Sequence, residues 1–268
     1  MTFRFGVVAG TARTGAEWIT AAQRAEQLGY DTLLVPDTVR TLSPFAALAA
    51  AAAATGRLRI GTYVLSAANR APGLVAWESR SLQLLSGGRF ELGLGGGRPG
   101  AEQDATVLGA DFGSPGRRLQ QVAETIQAVR AQPDSPPVLV AASRPRMLRL
   151  AAEQADIVAL GLPPQSSEEE LAAMVAQLRG FGGSPEVHLN VAAVAETAAA
   201  VPEWVGRMVG GDARAMAAAG GIAFLLGDPP RMAGTLRRRR DELGITYVGV
   251  NAMFMDAFAP VITELRGG

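Results

Sequence analysis

Asp37 and Thr38 are the first residues of this chain whose types and position allow chemistry. They follow a short apolar run, Thr32–Val35, and precede a helical pattern that begins with Pro44. A carboxylate placed there accepts a hydrogen bond from a ligand, and a hydroxyl donates one. Stabilisation of a turn by Asp37 is an equally simple interpretation. The pair is therefore a candidate catalytic site with a structural alternative.

Three glycines and an arginine form the second candidate. Gly95, Gly96, Gly97 and Arg98 come directly after the apolar run Arg89–Leu94. Glycines at the end of a strand let the backbone approach something flat or anionic. The guanidinium of Arg98 would offer a planar fork of donors to an anionic group. A flexible turn is the alternative.

The third candidate is a possible phosphate site. Ala141, Ala142, Ser143 and Arg144 precede Pro145, which suits the first position of a helix. Free N–H groups at such a helix start bind phosphate well, and the two polar side chains would add donors. Simple capping of the helix by Ser143 explains the same residues.

Composition argues against several other classes of site. The 268 residues carry no formal net charge, and all 25 Lys-or-Arg residues are arginine. We therefore expect no nucleic-acid partner. With no cysteine and a single histidine, His188, we expect no metal site and no Ser-His-Asp triad. His188 falls early in the run Val187–Val194, away from the expected active site, so we expect it to be structural.

The patterning also predicts where the protein resides. The N-terminus has no long apolar run of the kind that a signal peptide requires. Ala46–Ala54 is strongly apolar but too short to cross a bilayer, which takes roughly 20 residues. We expect a cytoplasmic protein without membrane contact.

Short apolar runs alternate with helical patterns along the whole chain. We predict eight strands, at Arg4 to Ala9, Thr32–Val35, Leu58–Leu65, Arg89–Leu94, Val138–Ala141, Ile157–Leu160, Val187–Val194 and Ile245–Val250. Such strands suit a parallel sheet covered by helices, so the fold class is α/β, a (β/α)8 TIM barrel in a single domain, 1–268. Residues 197–221 have no place in this count and are predicted to be an extra helical segment. A doubly wound open sheet is the rival, but its usual Gly-x-Gly-x-x-Gly after the first strand is missing.

Several segments resemble the bacterial luciferase-like superfamily of flavin- and deazaflavin-dependent oxidoreductases. The best matches are AAQRAEQLGYDTLLVPD, which ends at Asp37, RLRIGTYVL at 57–65, and LLSGGRFELGLG at 84–95. Further matches are LAAEQADIV at 150–158 and LGITYV at 243–248. The matches span nearly the whole chain and look most like the actinobacterial branch that uses the deazaflavin coenzyme F420.

The resemblance implies a cofactor, F420 or alternatively FMN, at the C-terminal mouth of the barrel. Asp37 and Thr38, with the run from Gly95 to Arg98, would line its ring and polar chain. Ala142, Ser143 and Arg144, following Ala141, would hold its phosphate. A non-proline cis peptide late in the third strand, by position Tyr63–Val64 and preceded by Thr62, would support the ring system.

Three departures from the family pattern qualify these expectations. Many relatives carry a histidine where this chain has Thr38, so the proton donor would be Thr38, Tyr63 or a water held by Asp37. Many close relatives have an aromatic residue at the position of Arg98. The segment Arg130–Val138 is short where relatives carry an insertion. We therefore expect a more open pocket, suited to a bulky substrate such as a peptide or a natural-product intermediate.

The implied reaction is hydride transfer between F420 and a C=C or C=N bond of a small-molecule, natural-product or peptide substrate. An FMN-dependent luciferase-like monooxygenase and a non-catalytic flavin-binding barrel are the alternatives. The resemblance also suggests a homodimer, in which the Ala-rich second helix and the third helix would pack across a two-fold axis.

Overall fold

Eight parallel strands close into a barrel in the computed structural model, which describes residues 2–98 and 100–267. The barrel strands are β1 (Arg4–Val8), β2 (Thr32–Val35), β3 (Arg59–Thr62), β5 (Phe90–Gly95), β6 (Val138–Ala142), β7 (Ile157–Leu160), β8 (Glu186–Val191) and β11 (Ile245–Asn251). A two-residue strand, β4 (Leu65–Ser66), continues the line of β3 along β5. Pairing of β3 with β5 completes the ring β3-β2-β1-β11-β8-β7-β6-β5. The predicted (β/α)8 TIM barrel is confirmed, and the open-sheet alternative is excluded.

Helices surround this ring. They are α1 (Gly15–Gln27), α2 (Pro44–Ala54), α3 (Pro72–Leu85), α4 (Ala101–Val107), α5 (Pro115–Arg130), α6 (Pro145–Gln154), α7 (Glu168–Gly180), α8 (Glu203–Val209), α9 (Ala213–Ala218), α10 (Pro229–Leu243) and α11 (Met255–Arg266). Three 3₁₀ turns lie at Ala67–Asn69, Ala198–Ala200 and Ala252–Phe254. Proline at the first position, where its missing N–H costs nothing, starts five of these helices: α2, α3, α5, α6 and α10.

The alternation of side chains along the strands divides the core into two layers. One face of each strand packs against the helices in a large apolar cluster. The other face points into the barrel, where Leu34, Leu139, Ile157, Ala159 and Tyr247 form a smaller cluster. A barrel of this size is filled by side chains rather than hollow, so ligands are expected at its ends.

Ion pairs fill the N-terminal end of the barrel. The buried carboxylate of Glu91 on β5 bonds both Arg4 on β1 and Arg59 on β3. Arg4 also contacts Glu186 on β8, with 2.5 Å between Nη1 and Oε2. These charges link four strands from below, so the opposite end of the barrel is the accessible mouth.

Two predicted strands are divided in the structure. The third, expected as Leu58–Leu65, is interrupted at Tyr63 and Val64 and resumes as β4. The seventh, expected as Val187–Val194, leaves the barrel after β8. Its end forms β9 (Ala193–Ala195), which pairs with β10 (Phe224–Leu226) in a separate two-stranded parallel sheet. Both divisions depend on strand pairing, which an apolar run does not specify.

The segment 197–221 contains α8 and α9, which lead from β9 to β10. The glycine loop after β5 is followed by α4, a helix that the sequence did not predict.

Met1, Pro99 and Gly268, which the predicted domain 1–268 includes, lie outside the described residues. None of the helices in the described ranges combines the length and the apolar character needed to cross a membrane.

Candidate active site

The interruption between β3 and β4 shapes one side of the mouth. The peptide bond between Tyr63 and Val64 is cis, as the resemblance implied. Thr62, just before it, is 1% exposed, and its Oγ1 both accepts from the Gly93 N–H and donates to the Gly93 C=O, each at 2.8 Å. The hydroxyl of Thr62 thus takes the place of backbone pairing between the strands. Both hydrogen bonds of this hydroxyl go to the sheet, while the predicted role of Thr62 towards a cofactor stays a prediction.

Two glycines of β5 let this side of the mouth close up. A Cβ atom on Gly93 would lie 2.0 Å from the carbonyl oxygen of Thr62, and one on Gly95 would lie 2.8 Å from Cγ2 of Val64. Only residues without a side chain allow the interrupted strand to approach so closely. The glycines of LLSGGRFELGLG are therefore needed for the packing of the barrel wall, in addition to any role in binding a ligand.

The loop after β5 is held by an arginine from the next barrel helix. Arg118 on α5 donates from Nε to the C=O of Gly96 at 2.6 Å and from Nη1 to the C=O of Gly113 at 2.7 Å. Its guanidinium also lies over the ring of Phe112, 4.1 Å from the centroid. Gly96 is half-buried and Gly97 is exposed with φ +92°. These contacts of Arg118 support an ordered loop at Gly96, while the role of the glycine run towards a cofactor stays a prediction.

Arg98, at the end of this run, is directed along the rim. Its side chain forms an ion pair with the buried carboxylate of Asp104 on α4, at 2.5 Å. The Arg98 side chain remains 49% exposed. Its predicted contact with an anionic cofactor group would add to this ion pair or compete with it.

Asp37 fastens the segment that follows β4. Its Oδ2 accepts hydrogen bonds from the Ser66 N–H at 3.1 Å, from Asn69 Nδ2 at 3.5 Å and from Arg70 Nη1 at 2.6 Å. The Asp37 side chain is 5% exposed. These contacts support the structural interpretation of Asp37, while its catalytic role stays a prediction.

Thr38 lies beside Asp37 with its hydroxyl less occupied. Its Oγ1 accepts a bond from the Arg40 N–H at 3.2 Å, and its C=O accepts from Thr41. Within residues 2–98 and 100–267 this hydroxyl donates to no partner, so its proton is available for donation from a half-buried position at the mouth.

The N-terminus of α6 offers free donors. Arg144 is the N-cap residue, and among the described residues no side chain caps this helix. The predicted alternative, capping by Ser143, is therefore wrong. Ser143 and Arg144 are both exposed, whereas the preceding Ala142 is buried and Ala141 is half-buried. The first turn of α6 also adjoins the glycine loop, because a Cβ atom on Gly96 would lie 3.2 Å from Met147 Cε. The arrangement suits an anionic group.

Three charged or polar side chains make contacts around the site that the sequence did not reveal. Arg118 holds the glycine loop and Arg70 binds Asp37, but nothing in a single sequence marks one arginine among many. The third is His188, which lies inside the barrel with 0% exposure, in contact with Tyr63. The hydroxyl of Tyr63 lies 3.4 Å from Nδ1 of His188, and its suggested role as a proton donor stays a prediction.

Exposed apolar side chains flank the mouth on the side of α8. Met208 on α8 is 45% exposed and Met253, just after β11, is 72% exposed. Asn251 at the end of β11 connects them, since it bonds the Met253 N–H and lies 3.6 Å from the Met208 sulfur. Within the described ranges, no cluster of three or more acidic or histidine side chains is placed to hold a metal ion.

Together, the fold and the site define an α/β barrel with a glycine-walled mouth and an open helix N-terminus beside it. The family model for luciferase-like monooxygenases matches residues 1–244, and the chain belongs to that family. The resemblance predicted from the sequence is thereby confirmed.

Known proteins of similar sequence and structure include enzymes that use both kinds of cofactor. The chain is 27% identical to a 5,10-methylenetetrahydromethanopterin reductase of Methanolobus tindarius over 198 residues, 65% of this chain and 59% of the relative. The structure of a coenzyme F420-dependent tetrahydromethanopterin reductase from Methanopyrus kandleri superposes with a TM-score of 0.74 at 16% identity, covering 98% of this chain and 97% of that one. A riboflavin lyase with modified FMN and riboflavin superposes with a TM-score of 0.77 at 14% identity, covering 100% and 92%. The chain spans between 39% and 59% of the length of the curated relatives considered.

Proposed function

We propose that this chain is an oxidoreductase that binds coenzyme F420 at the barrel mouth and acts on a C=C or C=N bond. The observation that carries this proposal is the uncapped N-terminus of α6, with Ser143 and Arg144 exposed beside the glycine loop. A phosphate there would meet backbone N–H groups, a hydroxyl and a guanidinium. When bound, F420 supplies or takes up the hydride.

The chain's own residues would bind and orient this cofactor. Gly95 and Gly96 leave a wall without side chains for a flat ring, and Arg118 keeps that wall in place. Thr38 has a hydroxyl proton free to reach a substrate atom. We place a small-molecule, natural-product or peptide substrate against the exposed apolar rim of Met208 and Met253, because apolar surface at a mouth favours apolar ligands.

An FMN-dependent monooxygenase is the second candidate, because the donors at α6 would also meet the phosphate of FMN. Titration of the purified protein with F420 and with FMN, followed by absorbance and fluorescence, separates the two. We expect saturable binding of F420 and weaker binding of FMN. Binding of FMN alone would favour the monooxygenase, and binding of neither would contradict both and leave the non-catalytic barrel.

Arg144→Ala is expected to weaken cofactor binding by about 10- to 100-fold, because it removes a charge-assisted hydrogen bond worth about 1.5–3 kcal/mol. The matched control is Arg146→Ala, which removes an exposed arginine two positions further along the same helix. The dissociation constant of F420 measured by fluorescence checks the difference. Equal effects of the two variants would show that general charge, and not the α6 site, binds the cofactor.

We also propose that the chain forms a homodimer through α3. Trp77 and Leu84 lie two helical turns apart on one face of this helix and are 68% and 82% exposed, with Leu85 beside them at 72%. Such a stripe marks an interaction surface. Trp77→Asp is expected to convert a dimer into monomers without loss of helical content, as measured by analytical ultracentrifugation and circular dichroism. A wild-type protein that sediments as a monomer at high concentration would refute the dimer.

A further inference from the structure

A stack of polar and aromatic side chains runs down the inside of the barrel beneath the candidate site. The ring of Tyr63 lies 4.9 Å from that of His188, and His188 lies 4.6 Å from the ring of Tyr247 in an edge-to-face arrangement. The guanidinium of Arg4 lies over Tyr247, 4.3 Å from its centroid. Tyr63 is therefore the uppermost member of a column that continues to the ion pairs at the barrel floor.

If His188 had only a packing role, it would make the fold less stable than an apolar residue at this position. It is fully buried, and its Nε2 has no hydrogen-bond partner among the described residues. A buried polar atom without a hydrogen-bond partner destabilises the fold, so leucine would suit a purely structural role better. Its neighbours also make room for it, because a Cβ atom on Gly249 would lie 2.7 Å from Nε2.

The contacts of His188 determine which nitrogen carries the proton. Its Nδ1 lies 3.4 Å from the hydroxyl oxygen of Tyr63. Burial, and then the positive charge of Arg4, lower the pKa of His188 to about 3, so the imidazole is neutral. Burial raises the pKa of Tyr63, so the phenol keeps its proton.

An acceptor near the other nitrogen selects one tautomer. A Cβ atom on Gly249 would lie 2.7 Å from Nε2 of His188 and 2.9 Å from Oδ1 of Asn190, so these two atoms lie on the same side of Gly249. Like Nε2, Oδ1 of Asn190 lacks a hydrogen-bond partner within the described ranges. Because neither atom has a direct partner there, a proton on Nε2 would reach Asn190 Oδ1 through one bridging water, and Nδ1 would then accept from Tyr63. The polar groups facing the imidazole are Tyr63 from the segment between β3 and β4, Asn190 from β8, and Tyr247 and Arg4 from below, with Glu91 and Glu186 beyond Arg4.

We propose that His188 is a positioning residue for the cofactor site: its Nδ1 accepts the hydrogen bond of the Tyr63 hydroxyl and so fixes the segment between β3 and β4 on which the cofactor ring would rest. The inference rests on the proposed function, since it assigns His188 a role towards that cofactor. It also gives a reason for the polar residue in the barrel interior that the sequence analysis expected to be only structural.

The single histidine makes a direct spectroscopic test possible. Protein labelled with ¹⁵N-histidine yields one pair of imidazole nitrogen signals in NMR, which report protonation and tautomer. We expect a neutral imidazole with the proton on Nε2 from pH 8 to pH 5, a change of the Nδ1 signal in Tyr63→Phe, and a further change when F420 binds. A proton on Nδ1, or a titration near pH 6.5, would overturn the inference.

A double-mutant cycle supplies the second measurement. Tyr63→Phe and His188→Leu are each expected to weaken F420 binding by about 2- to 10-fold, and the double variant no further than either single variant. Additive losses would show that His188 does not act through Tyr63. If a variant fails to fold, the NMR spectra of the wild-type protein decide the question.

The outcomes for the cofactor and for His188 are distinguishable. If fluorescence shows F420 binding while the imidazole signals stay unchanged, the positioning role is wrong and the proposed function stands. If neither F420 nor FMN binds, the proposed function fails and the role of His188 towards a cofactor fails with it.

Discussion

Gly93→Ala is expected to lower the free energy of unfolding by about 3 kcal/mol or more, or to prevent folding of the barrel altogether. The added Cβ atom would lie 2.0 Å from the carbonyl oxygen of Thr62 and 3.1 Å from Cγ1 of Val64. The first of these is a backbone atom in the barrel wall, so no side-chain rotation relieves the clash. Separation of β3 from β5 would also break both hydrogen bonds of Thr62 Oγ1. Urea denaturation followed by circular dichroism measures the loss.

Gly234→Ala is the matched control for this substitution. Gly234 lies within α10, is exposed, and has open space where its Cβ atom would be. Alanine there should stabilise the protein by about 0.5–1 kcal/mol through helix propensity. A Gly93→Ala protein as stable as the wild type would show that β3 and β5 do not approach as closely as the structure has them.

The stability of the protein is expected to fall on acidification because of His188. Burial first, and Arg4 second, lower its pKa from 6.5 to about 3 in the folded state. Between these values the unfolded chain binds a proton that the folded chain does not, so the free energy of unfolding rises with pH across this window. With respect to His188, the free energy of unfolding has its full value above pH 6.5. It falls by about 1.4 kcal/mol for each pH unit between that pH and the folded-state pKa of about 3.

His188→Leu isolates this contribution, because the chain contains no other histidine. Carboxylates titrate in both proteins, so their effect cancels in the difference between the two denaturation series. We expect the stability of the variant relative to the wild type to increase steadily from pH 6.5 towards pH 4. Parallel stability curves over that range would mean that His188 is protonated in the folded state or accessible to water.

Much of the fold follows from local sequence. The strands β2 and β7 coincide with their predicted bounds, because each is a short apolar run enclosed by turn residues. The interruption at Tyr63 and Val64 was indicated only by the resemblance, since the run from Leu58 to Leu65 is continuous in its pattern. Pairing of β9 with β10 escaped prediction because it joins segments about thirty residues apart through a short, weakly patterned strand.

The loops that surround the mouth were predictable from the sequence, but the contacts of their side chains were not. Chain order places Asp37, Gly95 and Ser143 at the ends of the second, fourth and fifth barrel strands, and parallel strands bring those ends to one mouth. Asp37 proved to be bound by Arg70, and the hydroxyl of Thr62 by Gly93. Which partner binds a polar side chain depends on the distances between loops in the folded protein, and a sequence does not specify those distances.

The sequence alone determined the barrel, its family and the loops that form the mouth, because strand periodicity, helix starts and glycine spacing are local properties. Only the tertiary structure decided which polar side chains face the mouth and which face inward. Tyr63 and His188 are 125 residues apart in the chain, yet they contact each other inside the barrel. The physical reason is the closure of the barrel, because eight strands in a ring make their inward side chains neighbours irrespective of sequence separation. The contacts between these side chains then determine the protonation and the role of each one.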